Sequence, residues 1–294
     1  MDNLIYYILI FLLKAIALLP LRALYVLSDI MCFFAHRVVK YRLNVVRKNL
    51  RNSFPEKSAD ELRDIEKKFY RHLCDCIVET VKLLHISDDE IRRRIRIHSS
   101  ALVGMAVRSN RPIVLFMAHY ANWEWVPSVT FLLSEPKTMG ALYRPQRDKI
   151  MNRIIMRIRS RFDSRYIPAR QAYRSILTIL REHKSFMIAF IGDQRPMGVN
   201  IKHWTEFLGQ DTSFAAGGET IGDKIGAKFL YLDVARTGRG YYSLTFKDMA
   251  VNPADNAEFP YTRLFFEMLE QTIRRDPSLW LWSHNRWKRP SAKN

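Results

Sequence analysis

An apolar run from Ile113 to Ala118 follows Pro112 and stops abruptly at His119, with Glu124 five positions further on. Bounded by proline and rich in Ile, Val and Phe, the run reads as a buried β-strand. Other strand-like runs lie at Met139–Tyr143, Phe186–Ile191, Lys228–Ala235 and Tyr241–Phe246, with helical patterns around Ile150–Arg161, Gln171–His183 and Gly217–Ile225. A last amphipathic helix carries Tyr261, Leu264, Phe265, Met268, Leu269 and Thr272. Strands alternating with helices predict an α/β fold: a largely parallel central sheet with helices on its faces. Upstream, Ser58-Ala59-Asp60-Glu61 has the form of a capping box, and Leu62, Ile65, Phe69, Leu73, Cys76, Ile77, Thr80 and Leu84 follow it at helical spacing.

A sheet of this kind holds its ligands at the carboxyl ends of its strands. Three of the strand runs lead into polar clusters there. The first reaches His119-Tyr120-Ala121-Asn122-Trp123-Glu124, the second Arg144-Pro145-Gln146-Arg147, and the third Gly192-Asp193-Gln194-Arg195-Pro196. A histidine held by a carboxylate is the usual general base near neutral pH. His119 and Glu124 are too far apart around a continuous helix to meet, since about 3.6 residues make a turn. The chain must therefore bend between them.

Several chemistries lack their signatures. The sequence has no G-x-S-x-G elbow, no P-loop or G-x-G-x-x-G, and no HExxH or paired Cys/His spacing. Gly217-Gly218 reads as a helix start or a packing feature. Cys32, Cys74 and Cys76 read as buried thiols in a reducing compartment. What remains is His–carboxylate base chemistry without a covalent nucleophile, suited to activating a substrate hydroxyl.

The chain carries 47 Lys+Arg against 29 Asp+Glu, a net charge of +18, which favours anionic partners. Arg37, Lys40, Arg42, Arg47, Lys48 and Arg51 form a basic block directly after an apolar N-terminus. From Leu4 to Leu21 the N-terminus is apolar except for Lys14, and a second amphipathic stretch runs from Leu24 to Val39. Nothing basic precedes the run and no small-residue cleavage site follows it, which argues against a cleavable signal. Two membrane readings are open: a tilted single span, and a helix lying in the interface with Lys14 and Arg22 snorkelling. Either places the basic block beside the bilayer and the following domain in the cytoplasm. A soluble pair of core helices is the alternative. The division expected is a membrane-associating segment over 1–35 and a catalytic domain over 36–294.

The motifs together resemble the bacterial lipid A biosynthesis late acyltransferases, within the lysophospholipid/glycerol-phosphate acyltransferase-like superfamily. His119 and Glu124 match the family's His-x4-Asp/Glu, Leu142-Tyr143-Arg144-Pro145 its Tyr-Arg-Pro segment, and Asp193-Gln194 its Asp-Gln or Asp-His. Phe207-Leu208-Gly209 matches Phe-Phe-Gly, and Leu281-Trp282-Ser283-His284-Asn285-Arg286-Trp287-Lys288 matches the C-terminal Leu-Trp-x-His-x-Arg-Trp-Lys.

The resemblance implies transfer of a fatty acyl chain from acyl carrier protein to a hydroxyl of a lipid A precursor at the cytoplasmic face of the cell inner membrane. It implies no cofactor or metal beyond the acyl carrier protein as co-substrate, and no nucleic-acid partner. His119 takes the hydroxyl proton and Glu124 fixes the imidazole. Arg144 serves the oxyanion or an acceptor phosphate. Arg159 is a second phosphate candidate, Asp193 orients Arg144 or Arg159, and Arg195 is a further possible phosphate contact. His284 is assigned a structural or membrane-proximal role. Three other readings stay open: acylation of another lysolipid or glycolipid, a non-enzymatic basic protein of membrane surfaces or nucleic acid, and a metal-dependent hydrolase with His119 and Glu124 as ligands.

Overall fold

The computed structural model describes residues 2–133, 138–162, 164–182, 186–196, 201–252 and 257–288. Helices α1 (Asp2–Leu18) and α2 (Leu21–Phe33) come first, the latter continuing as a π-helical turn over Phe34–Val38. Next come α3 (Leu43–Ser53), α4 (Ala59–Lys82), α5 (Asp88–Arg94), β1 (Ile95–His98), α6 (Ser100–Arg108) and β2 (Ile113–Met117). The middle holds α7 (Val129–Leu132), β3 (Met139–Tyr143), α8 (Lys149–Arg159), β4 (Arg165–Pro168), α9 (Ala172–Glu182) and β5 (Met187–Ile191). The remainder is β6 (His203–Phe207), β7 (Gln210–Phe214), α10 (Gly217–Lys224), β8 (Lys228–Gly238), β9 (Tyr241–Asp248) and α11 (Pro260–Arg275).

Seven strands form one sheet in the order β1-β9-β8-β2-β5-β3-β4. The expected α/β architecture is present, and all neighbours run parallel except β8 and β9. Those two strands are too close in sequence for a crossover, so they pair as a hairpin. Every residue of β2 is buried, as is most of β5, because helices cover both faces of the centre. That two-sided burial is what made the central strands readable as apolar runs. The edge strands β1 and β4 were not anticipated: Ile95-Arg96-Ile97-His98 and Arg165-Tyr166-Ile167-Pro168 are short and half-exposed. The separate β6–β7 hairpin turns at Leu208 and Gly209, both in the left-handed region. That is the two-residue turn favoured by hairpin twist, and it gives the Phe207-Leu208-Gly209 motif a structural role.

The Ser58 capping box forms in full, with Glu61 reciprocating. The face of α4 differs from the expected apolar stripe. Ile77 is 46% exposed, whereas Glu66, Asp75 and Glu79 are buried. Their burial is compensated by partners: Glu66 pairs with Arg47 and His36, Asp75 with Arg239 and Ser28, and Glu79 with Tyr25, Asn122 and Tyr242. The predicted helix to Arg161 ends at Arg159 and tightens into a 3-10 turn over Ser160–Phe162. The helix predicted from Gln171 starts at Ala172, and His183 lies outside the described residues.

Pro20 divides the apolar N-terminus. No single helix among the described residues is long and apolar enough to cross a membrane; α1 and the helical stretch Leu21–Val38 meet that length only together, and they are bent by 118°. One face of this pair packs inward through Ala17, Leu21, Leu24 and Ser28. The other leaves Leu4, Tyr7, Phe11, Leu18, Val26, Phe33, Phe34 and Val39 more than half exposed.

Candidate active site

Strands β2, β5 and β3 are neighbours, so the three polar clusters that follow them emerge side by side. Met117 pairs with Ile191, which sets His119 and Asp193 level, two residues beyond the pair. Arg144 leaves the end of β3 next to them, and a cavity of about 610 Å³ opens there. Its polar lining includes His119, Glu124, Arg144, Arg159 and Gln194; Met139, Ala141, Ala189, Phe190 and Ile221 are among the apolar walls. Gly217 and Gly218, at the start of α10, also line it. A Cβ on Gly218 would meet the Phe190 ring at 3.0 Å, so glycine here lets α10 approach the sheet.

His119 Nδ1 lies 2.8 Å from Asp193 Oδ1. Asp193 is 2% exposed, and its second oxygen accepts the Trp280 indole N–H at 2.9 Å. Burial by itself would raise this carboxyl. The His119 charge and hydrogen bond, with help from Trp280, outweigh burial and hold it below the usual aspartate value. An ionised carboxylate only accepts, so Nδ1 is the nitrogen that donates to it, and in the neutral ring this tautomer puts the lone pair on Nε2. Nε2 sits 3.4 Å from the Gln194 amide nitrogen in the wall of the cavity. This is the electronic arrangement of a general base.

Glu124, expected to hold the imidazole, has a different partner. Its carboxylate takes a two-pronged grip from Arg159, at 2.8 and 2.6 Å. Asp193, expected to orient Arg144 or Arg159, holds His119 instead. The cause lies at Ala121, whose φ of 51° puts a non-glycine residue in the left-handed region. The chain bends there as anticipated, but the bend sends the Glu124 side chain toward α8. Arg159, though largely buried, stays cationic: burial disfavours its charge, and the Glu124 contacts more than compensate. Its guanidinium also lies over the Tyr166 ring. Arg195 is not among the residues that line the cavity; its backbone N–H donates to His284 Nε2 at 3.3 Å.

Two buried supports hold the His119–Glu124 loop. The C-terminal block lies along it: Ala121 N–H donates to Leu279 O, Leu281 N–H donates to His119 O, and Tyr120 bridges Trp280. Burial lowers the His284 pKa to about 4, so the ring is neutral and its Nε2 accepts from Arg195. The block is itself tied down by Asn49 on the Trp282 and His284 carbonyls and by Arg286 on Ser213 O. The structural role expected of His284 is therefore seen. On the other side stands α4, where Glu79 accepts from Asn122 Nδ2 at 2.6 Å and Cys76 Sγ contacts Ala121 O at 3.4 Å. Burial raises the Glu79 pKa against the pull of its three donors. His72, fully buried beside Cys76, is lowered to about 4, first by burial and then by Arg236.

Trp280 and Glu79 were missed from sequence. Trp280 stands just before the quoted C-terminal motif and looks like another interface aromatic. Glu79 leaves only a faint signal, a carboxylate in the apolar register of α4. Among the described residues no three His, Cys, Asp or Glu side chains converge as a metal-binding group. His119 and Glu124 point to separate partners rather than to one ion.

Comparison with known proteins adds to this geometry. The family described as bacterial lipid A biosynthesis acyltransferase matches residues 1–289. A lipid A biosynthesis palmitoleoyltransferase of Escherichia coli (strain K12) is 25% identical over 269 residues, covering 88% of this chain and 85% of the relative. A lipid A biosynthesis acyltransferase of Shigella flexneri matches to the same extent.

Proposed function

The chain belongs to the bacterial lipid A biosynthesis acyltransferase family, and on that premise we propose that it moves a fatty acyl group from an acyl carrier protein thioester to a hydroxyl of a lipid A precursor. The observation that carries this reading is the His119–Asp193 pair, with Nε2 left basic in the wall of a partly apolar cavity. The acceptor hydroxyl gives its proton to Nε2 as its oxygen attacks the thioester carbonyl. Asp193 balances the imidazolium that forms, a role better met by a buried carboxylate than by a solvated one. The tetrahedral intermediate collapses with loss of the carrier thiolate, which takes the proton from the imidazolium. An ester and a free thiol result.

Arg144 and Arg159 line the same cavity and supply positive charge for the oxyanion or for an acceptor phosphate. Glu124 acts through Arg159, fixing the guanidinium by two hydrogen bonds. The acyl chain of the donor lies along the apolar walls. Gly217, whose missing Cβ faces open space, is a position where added bulk would shorten the chain accepted. The excess of basic residues suits both an acidic carrier protein and a phosphorylated lipid. Residues 1–35, with their exposed apolar face, seat the catalytic part on the cytoplasmic side of the inner membrane.

Reconstitution with acyl carrier protein thioester and lipid A precursor tests the proposal. His119→Ala should lower kcat/KM by about 10³-fold or more while the protein remains folded. Undiminished transfer by that variant would remove the base assignment. Lipid A of unchanged mass in cells lacking the protein would move the acceptor to another lysolipid or glycolipid.

A further inference from the structure

A second cavity, of about 680 Å³, lies outside the site described so far. Ile30, Phe34 and Ala35 wall it from α2 and its π-helical turn, and Leu73 and Ile77 from α4. The C-terminal block closes its inner end with Leu281 and His284. Both cavities fall in the range of about 300–1,000 Å³ usual for ligand sites.

Three features indicate what this groove holds. Gln194 lines both cavities, and its amide is the group 3.4 Å from His119 Nε2. The groove thus ends one side chain away from the proposed base. Its outer rim belongs to the exposed apolar face: Ile30, Phe34, Ile77, Val39 and Tyr41 are each 40–70% exposed. Arg42 also lines it, anchored on Ser283 O at 3.0 Å, with Lys40 and Arg37 close in sequence. An apolar slot with a cationic rim, opening through an apolar surface and ending near the base, fits an anionic amphiphile that enters tail first. The π-helical turn contributes Phe34 and Ala35, and such turns recur at functional sites because they displace side chains from helical register.

Taking acyl transfer to a lipid hydroxyl as given, we propose that this groove binds a hydrocarbon chain already present on the phosphorylated lipid acceptor, while the first cavity receives the donor's chain. The two chains then approach His119 from opposite sides of Gln194. The acceptor hydroxyl is presented to Nε2 by a lipid whose tail stays against the membrane-like face and whose phosphate meets the Arg42 rim. Gln194 is a positioning residue between the two.

Photolabelling tests this assignment without requiring turnover. The probe is a lipid A analogue with a diazirine in one existing acyl chain, applied to the full-length His119→Ala protein and mapped by peptide mass spectrometry. Expected labels fall on the segments holding Phe34, Leu73 and Ile77, and unlabelled lipid A should compete them away. Labels confined to Met139–Tyr143 and Gly217–Ile221 would overturn the proposal. So would labelling of the groove by a diazirine-bearing acyl donor, which would give the groove to the other substrate. In the otherwise unaltered enzyme, Ala35→Trp fills the groove and should raise KM for the lipid acceptor by about tenfold or more, with kcat and the donor KM little changed. An unchanged acceptor KM in folded Ala35→Trp protein would also count against the assignment. Failure of acyl transfer itself shows separately, as undiminished activity of His119→Ala, whereas the labelling pattern reports only on the groove.

Discussion

Glu124 lines the cavity and Asp193 is buried behind His119, and the surroundings of these two carboxylates differ. Asp193 follows a central strand, is 2% exposed, and divides its oxygens between an imidazole and an indole. Glu124 sits in a loop, its side chain 15% exposed, and gives both oxygens to a guanidinium from α8. The first environment leaves a single acceptor for the Nδ1 proton, which fixes the ring and its tautomer. The second leaves a near-neutral ion pair whose use is to hold Arg159 in place. Proximity in sequence favoured Glu124 as the histidine's partner, five residues away. The sheet register chose Asp193, 74 residues away.

Asp193→Asn puts the largest strain on this contrast. An amide can turn its NH₂ toward Nδ1 and stabilise the wrong tautomer, so kcat should fall by about 10²–10⁴-fold with the fold retained. Its pH–rate profile should change, and an unaltered profile would return the orienting role to Glu124. Glu124→Gln and Arg159→Met should each cost about 10–10²-fold, without displacing the pH profile. A double-mutant cycle of this pair should show coupling of about 1–3 kcal/mol, whereas additive effects would mean that they act independently. Trp280→Phe removes one donor to a buried carboxylate and should cost about 1–3 kcal/mol of stability. In that variant the Asp193 carboxyl should titrate higher, a displacement that simple loss of packing would not cause.

Acid stability is a separate readout of burial. The pKa values of His72 and His284 both fall to about 4 in the folded protein, below the ordinary histidine value of about 6.5. A histidine kept neutral by burial contributes stability that is fully present above pH ~6.5 and lost as pH falls toward ~4, because the unfolded chain protonates first. Each contributes a slope of at most about 1.4 kcal/mol per pH unit. Asp193, Asp233 and Glu66 shift downward, so their contribution disappears only below the ordinary carboxylate range. Thermal unfolding followed from pH 7 to pH 4 should thus begin to weaken near pH 6.5. His72→Gln should flatten that first decline, and an unchanged slope would show that His72 titrates normally.

Much of the framework was legible in the sequence. The buried run Ile113–Met117 announced a central strand because a strand covered on both faces must be apolar throughout. Ser58 and Glu61 announced the start of α4 because a capping box is a local matter of four residues. Arg144, Asp193 and His119 were placed at the carboxyl ends of strands by strand pattern alone, and the sheet order made those strands neighbours. The half-exposed edge strands escaped, since their residues satisfy no strong periodicity.

What the sequence determined by itself was the central strands with β8 and β9, the polar residues at the ends of three of them, the excess of positive charge and the apolar N-terminus. Each follows from short-range patterning, which a linear chain records directly. Tertiary structure alone decided which carboxylate meets His119, that Trp280 and Glu79 support the site, and that a second cavity forms between α2, α4 and the C-terminal block. Those contacts join residues far apart in the chain. Their partners are set by sheet register and by the left-handed bend at Ala121, neither of which leaves a local mark in the order of amino acids.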